Sequence, residues 1–370
     1  MRNGFLSVAL LGAASLSAAC SNSPSASCAD PDAQCTVGEA AAERGRFLGS
    51  TTGGRANWLS DQPELAPLLA EHFTSITCEN ELKWGFLSDA RGEYDFTTAD
   101  ESIAFAEEHG HRVRGHTLFW TRVNGTPVWV FEALENADDP EALLIELIEE
   151  HVSTVVGRYR GRIAQWDVVN EPTAQFGGSL DPDNAFLEIL GEEFLDRAFR
   201  LAHEADPDAL LFLNEVFSVS PEETFQGLLD IVDGMLKRGV PIHGVGIQGH
   251  FVLDAPDAAE WAPRFEAFAN LGLLVEVTEL DISINNFRTA SDPFEAQADA
   301  YAEVVRACLA VDACTGITTW NVHDGETWLD TSPPFDVAAP HEPTLFDANQ
   351  RAKPAYFAVV EAFAEGAASP

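Results

Sequence analysis

Two glutamates stand at or near the ends of apolar runs. Glu171 closes "IAQWDVVNE" (163–171), and Glu279 lies in "LLVEVTELDI" (273–282). A carboxylate at the end of a core-bound run is costly to bury unless solvent, partners or a substrate accept it. Two opposed carboxyl groups can cut a glycosidic bond, one protonating the leaving oxygen and the other handling the oxocarbenium-like centre. The neighbouring residue types suit a flat, hydroxyl-rich ligand, because Trp faces stack on sugar rings while amides and carboxylates bind hydroxyls. Side chains alternate along a strand, so Glu279 and Asp281 point to one side, within reach of His250 in "GVGIQGHF" (244–251).

The elements that must position these residues repeat. Short β-branched runs fall at 46–51, 74–80, 112–120, 163–171, 209–216, 244–251, 273–282 and 315–322, at a period of about forty residues. Amphipathic stretches lie between them, such as Pro140–Tyr159, Gly191–Ala205 and Pro221–Arg238. Eight strands, each followed by a helix, give a (β/α)₈ TIM barrel forming a single catalytic domain over 47–370. A doubly wound open sheet is the alternative, but no Gly-rich phosphate loop opens any of the helices. Barrel active sites sit at the C-terminal ends of the strands. Here those ends carry Glu79-Asn80, His116 with Trp120, Asn170-Glu171, Asn214-Glu215, Gln248 with His250, Glu279 with Asp281, and Trp320. A merely structural barrel has no reason to load one rim this way.

The 370 residues are 46% hydrophobic, enough for one large core or two modest ones. The net charge of −39, from 60 acidic residues against 21 basic ones, excludes nucleic acid as a partner. Residues 1–20 read as a signal peptide: Arg2, an apolar run from Phe5 to Leu16, then "SLSAAC". That ending resembles a bacterial lipoprotein signal with Cys20 lipidated, although Leu16 stands one position too far from Cys20. The mature protein is thus expected to be secreted and either free or held at the cell surface or outer membrane through Cys20. Residues 21–46, rich in Ser, Ala, Pro and Asp, read as a disordered tether. Cys28 and Cys35 could pair, and Cys308 and Cys314 are close enough to staple a helix end to the next strand. Cys78 has no obvious mate, and the spacings do not make a zinc site.

The motifs run in a recognisable order. "TCENELKW", "RGHTLFW", "WDVVNE", "GIQGHF", "VTELDI", "TTWNVHDGETWL" and "KPAY" resemble those of the endo-β-1,4-xylanases of glycoside hydrolase family 10, over residues 47–363. The resemblance implies a retaining enzyme with Glu171 as acid/base and Glu279 as nucleophile. It implies that Glu79, Asn80, Lys83, His116, Trp120, Asn170, Gln248, His250, Trp320 and Trp328 line the subsites on the non-reducing side of the cut. Asp281 would orient His250 on the nucleophile. The expected partner is xylan or a xylo-oligosaccharide, bound by a monomer without metal or cofactor.

Several positions depart from the family pattern. Thr121 and Val123 replace a His and a Gln that touch sugar, Asn321 replaces a Gly, and His323 stands where a small residue is common. Glu215, Val216 and Phe217 replace Asp-Tyr-Asn. Weaker sugar binding just before the cut is therefore expected, and two alternatives stay open: a related β-glycanase for another or decorated chain, and a silent sugar-capture lipoprotein. Glu215 is a third rim carboxylate without the paired context. Trp58, Trp129, Trp166 and Trp261 read as packing residues, and His72, His109 and His151 as surface histidines.

Overall fold

The computed structural model describes residues 27–30, 34–53, 59–122, 125–174, 178–216 and 222–365. The signal peptide with Cys20, the first part of the tether, Trp58, Val123 and Phe217 lie outside the described residues. Eight strands form the barrel: β1 (Phe47–Thr51), β2 (Ser75–Thr77), β3 (Arg112–Gly115), β4 (Gln165–Asn170), β5 (Leu210–Glu215), β6 (Gly244–Ile247), β7 (Leu274–Ile282) and β8 (Cys314–Thr319). Every neighbouring pair is parallel, and the β6–β7 and β1–β8 ladders close the ring. The expected (β/α)₈ barrel is the observed fold, with strand positions within a few residues of those expected.

The sixth strand shows one instructive difference. The expected run to residue 251 breaks at Gly249, whose φ of +83° an L side chain rarely adopts. The chain then re-enters the ladder at His250–Phe251, now beside Asp281 and Ile282 of β7. The break carries His250 from β6 to the end of β7.

The helices follow their sequence signals. Asp139 caps the helix Pro140–Arg158 by accepting from the Ala142 N–H at 3.0 Å, and Pro140 opens the first turn. Its buried stripe runs Leu144, Leu147, Ile148, Val152 and Val155. His151 sits in that stripe, so it is not the surface residue expected. It stacks on Trp84 at 4.2 Å, and its Nε2 bonds the Leu118 carbonyl at 3.1 Å. Burial pushes its pKa down to about 3, so it packs as a neutral ring. His72 is likewise half-buried, with Nδ1 2.9 Å from the Tyr356 hydroxyl. His109 is exposed, as expected.

The tether also ends earlier than expected. Residues Val37–Glu43 form a helix, α1, packed against β1 and the C-terminal helix Pro354–Glu365. Thr36 accepts from the Glu39 N–H and Glu39 returns a bond to the Thr36 N–H, a capping box that satisfies the first turn. Val37, Ala40 and Ala41 are buried, which anchors a segment whose small residues read as linker. Disulfides join Cys28 to Cys35 and Cys308 to Cys314, while Cys78 is free and buried. Trp166 and Trp261 are buried and Trp129 is partly buried. Among the described residues no helix is long and apolar enough to cross a membrane.

Candidate active site

The barrel interior beneath the mouth is ionic. Arg114 on β3 pairs with Asp167 on β4 and Glu276 on β7. Asp167 also takes the Nδ1 side of His116 at 2.9 Å. Burial pushes the Asp167 carboxyl up, but the Arg114 guanidinium and the His116 hydrogen bond outweigh it and hold it low. Such a network needs room. A Cβ on Gly246 would collide with the Asn214 amide, the Thr278 methyl and the Arg114 guanidinium, so β6 carries glycine here.

Above this layer one amide network joins the two catalytic candidates. Asn214 Nδ2 donates to Glu279 Oε1 at 2.6 Å and to Asn170 Oδ1 at 2.8 Å. Gln248 Nε2 reaches the same Asn170 oxygen at 3.3 Å and Glu171 Oε1 at 3.0 Å. The Thr278 hydroxyl donates to Asn214 Oδ1 at 2.6 Å, which fixes the direction of that amide. Glu171, just past β4, and Glu279, on β7, are thus linked through donors that share one acceptor, Asn170 Oδ1.

Their surroundings differ. Glu279 is held by His250 Nε2 at 3.1 Å, and His250 Nδ1 faces Asp281 Oδ2 at 2.9 Å. Trp328 Nε1 donates to the same Asp281 oxygen at 2.8 Å. Burial pushes His250 down, yet Asp281 and Glu279 more than offset this and raise it to about 10, so it stays cationic at neutral pH. Burial pushes Glu279 up, but the His250 hydrogen bond and the Lys83 charge hold it below the usual carboxylate range. Glu279 is therefore poised as an anion. Glu171 follows β4 with φ +52° and accepts from Trp120 Nε1 at 3.0 Å and Arg122 Nε at 3.1 Å. Its side chain keeps 15% of its surface exposed against 6% for Glu279, so of the two carboxylates Glu171 is the more open.

The other candidates gather on the β1, β2 and β8 side. Lys83 Nζ donates to Asn80 Oδ1 at 2.9 Å and lies 4.9 Å over the Trp120 ring. Glu79 Oε2 accepts from Asn321 Nδ2 at 2.7 Å and from the Thr51 hydroxyl at 3.1 Å. Burial, with the nearby Glu81 and Glu279 charges, pushes the Glu79 carboxyl up to about 8 despite Lys83. Burial lowers Lys83 in turn, against the pull of Glu79. The Trp320 ring meets His116 edge-on at 5.4 Å and His250 at 6.2 Å, and Trp328 packs 5.0 Å from His250. Every site residue named from the sequence thus falls in one connected patch at the C-terminal ends of the strands.

Four contributors were not among the site residues read from the sequence. Asn214 and Asn321 are buried amides holding Glu279 and Glu79, Arg122 pairs with Glu171, and Arg114 braces Asp167. Asn170 and Asn214 are register partners, and the matching Asn-Glu at the ends of both strands was the usable signal. Asn321 has φ +78°, which explains why a Gly would serve the backbone there. His323 accepts from the Gly325 N–H at 3.0 Å, a local turn contact. A cavity of about 280 Å³ at the opposite end of the barrel, lined by His111, Arg112, Arg162 and Asp206 among others, contains none of these groups.

Comparison with known proteins agrees with this geometry. The sequence profile of Glycosyl hydrolase family 10 matches residues 36–362. The chain is 35% identical over 302 residues to an endo-1,4-beta-xylanase of Geobacillus stearothermophilus, covering 79% of this chain and 90% of that one. It is 38% identical over 304 residues to a beta-1,4-xylanase of Dictyoglomus thermophilum, covering 80% and 83%. Xylanase 10B from Thermotoga petrophila RKU-1, solved in complex with xylobiose, superposes with a TM-score of 0.80 at 28% identity, covering 90% of this chain and 98% of that one.

Proposed function

The chain belongs to glycosyl hydrolase family 10, and from that premise we propose that it is a retaining endo-β-1,4-xylanase working by double displacement. The observation that carries this reading is the pair Glu171, just past β4, and Glu279, on β7, tied through Asn170, Asn214 and Gln248. In the first step a Glu279 oxygen bonds to the anomeric carbon as the bond to the leaving oxygen breaks. Glu171 gives its proton to that oxygen. In the second step water bonds to the anomeric carbon, the ester bond to Glu279 breaks, and Glu171 takes the proton from water. Cationic His250 and the Asn214 amide hold Glu279 as the anion that attacks. Glu79, Asn80, Lys83, His116, Trp120, Trp320 and Trp328 bind the sugars on the non-reducing side, with Asp281 fixing His250. The polysaccharide is met outside the cell, after export, by an enzyme either free or tethered through Cys20.

Hydrolysis of unbranched xylan, arabinoxylan and soluble cellulose tests the substrate. The expected result is mixed xylo-oligosaccharides from linear xylan with a rapid fall in viscosity. Stronger turnover of cellulose, or single sugars released from chain ends, would overturn it.

A further inference from the structure

The pair above leaves one rim carboxylate unused. Glu215 ends β5, is 1% exposed, and among the described residues no ion pair reaches it. A buried carboxylate without a cation is costly, so what it holds must be worth holding. Its Oε2 accepts both the N–H and the hydroxyl of Thr173, at 3.1 and 2.8 Å. Its Oε1 accepts the Val216 N–H at 2.8 Å, which locks the carboxylate itself.

Thr173 is two residues beyond Glu171, across Pro172. The strained point of the site is Glu171 itself, which takes φ +52° although it is not glycine and precedes a proline. Such a conformation persists only where both flanks are held. The near flank is held by the Glu171 N–H on the Asn214 carbonyl at 2.9 Å. The far flank is held by Glu215 through Thr173. Strands β4 and β5 pair Asn170 with Asn214, which sets Glu215 beside Glu171. Burial and the Glu171 charge raise the Glu215 carboxyl to about 7, as expected for two carboxylates at close quarters.

We infer that Glu215 is a positioning residue, clamping Thr173 so that the turn aims Glu171 at the leaving oxygen. The inference rests on the assignment of Glu171 as proton donor. A loosened turn leaves Glu279 able to attack but misdirects the proton. The loss then depends on how much protonation the leaving group needs.

The experiment compares kcat/KM for aryl β-xylobiosides, from dinitrophenyl to unsubstituted phenyl, in wild type, Glu215→Gln, Thr173→Val and the double variant. Active sites are counted with a fluorinated mechanism-based inactivator, so misfolded protein does not enter the rates. Glu215→Gln and Thr173→Val should each lose at least about tenfold on the phenyl substrate and less than about threefold on the dinitrophenyl one. The double variant should be no worse than the worse single. Thr173→Ser, which keeps both donors, should recover most of the loss. An equal loss across leaving groups, no loss, or additive losses would overturn the inference. Glu171→Ala run alongside separates the two levels. If it lacks leaving-group dependence, the donor assignment fails; if it shows it and Glu215→Gln does not, only the clamp fails.

Discussion

Glu215→Gln should also change how stability responds to pH. Burial and the Glu171 charge raise this carboxyl from 4.5 to about 7, against its Thr173 and Val216 donors. Between those values the folded chain keeps a proton that the unfolded chain has released. The stability this group contributes is therefore complete below 4.5 and is lost as pH rises through 7. At about 1.36 kcal/mol per pH unit, that interval corresponds to roughly 3 kcal/mol by pH 8. Gln has nearly the same shape and does not titrate, so the variant escapes this loss. Other titrating groups are common to both chains and largely cancel in the difference. At pH 4.5 the variant should be less stable, by about 1–3 kcal/mol, because an amide nitrogen cannot accept a hydrogen bond where the hydroxyl oxygen of the neutral acid still can. By pH 8 the gap should close by roughly 3 kcal/mol, or about 6 °C in Tm for a domain of this size. Urea denaturation of both proteins at pH 4.5, 6, 7 and 8 measures it. A gap that stays constant across that range would mean that Glu215 does not take up a proton on folding.

Asn321→Gly keeps a backbone suited to φ +78° but removes the amide 2.7 Å from Glu79. KM for xylotriose should rise about 2–12-fold, the span of one hydrogen bond, with kcat nearly constant; an unchanged KM would show that Asn321 does not hold Glu79 for sugar. Gly246→Ala forces a methyl into Asn214, Thr278 and Arg114 and should cost about 1–3 kcal/mol in calorimetry, with a fall in kcat as Asn214 moves off Glu279. A variant as stable and active as wild type would mean that the barrel layer yields easily. Cys20→Ala should move exported protein from the membrane fraction to the soluble one at equal specific activity; a wild type already wholly soluble would leave a plain secretory signal.

The barrel was legible because its signal is repeated eight times, and each strand's end could be checked against the others. Glu171, Glu279 and His250 stood out because polar residues at the ends of apolar runs have few structural uses. What escaped was local or depended on depth. Helix α1 announces itself only through Thr36 and Glu39, a capping box inside a stretch whose composition says linker. His151 follows the helical period of its apolar neighbours, but a titratable side chain on that stripe reads as surface until Trp84 is seen stacked upon it. The break at Gly249 cannot be inferred from an apolar run, since only pairing with β7 reveals it. Arg122 and Arg114 reach Glu171 and Asp167 from another strand or its following loop, and pairing across strands is a property of register rather than composition.

Double displacement requires that Glu279 form a covalent bond with the sugar. A 2-deoxy-2-fluoro xylobioside with an activated leaving group slows the second step more than the first and so traps the intermediate. Peptide mapping by mass spectrometry after inactivation reads which side chain carries the glycosyl group. One adduct per chain is expected, on Glu279, with none formed by Glu279→Ala. An adduct on Glu171 or Glu215, or turnover without any trapped species, would contradict double displacement through Glu279.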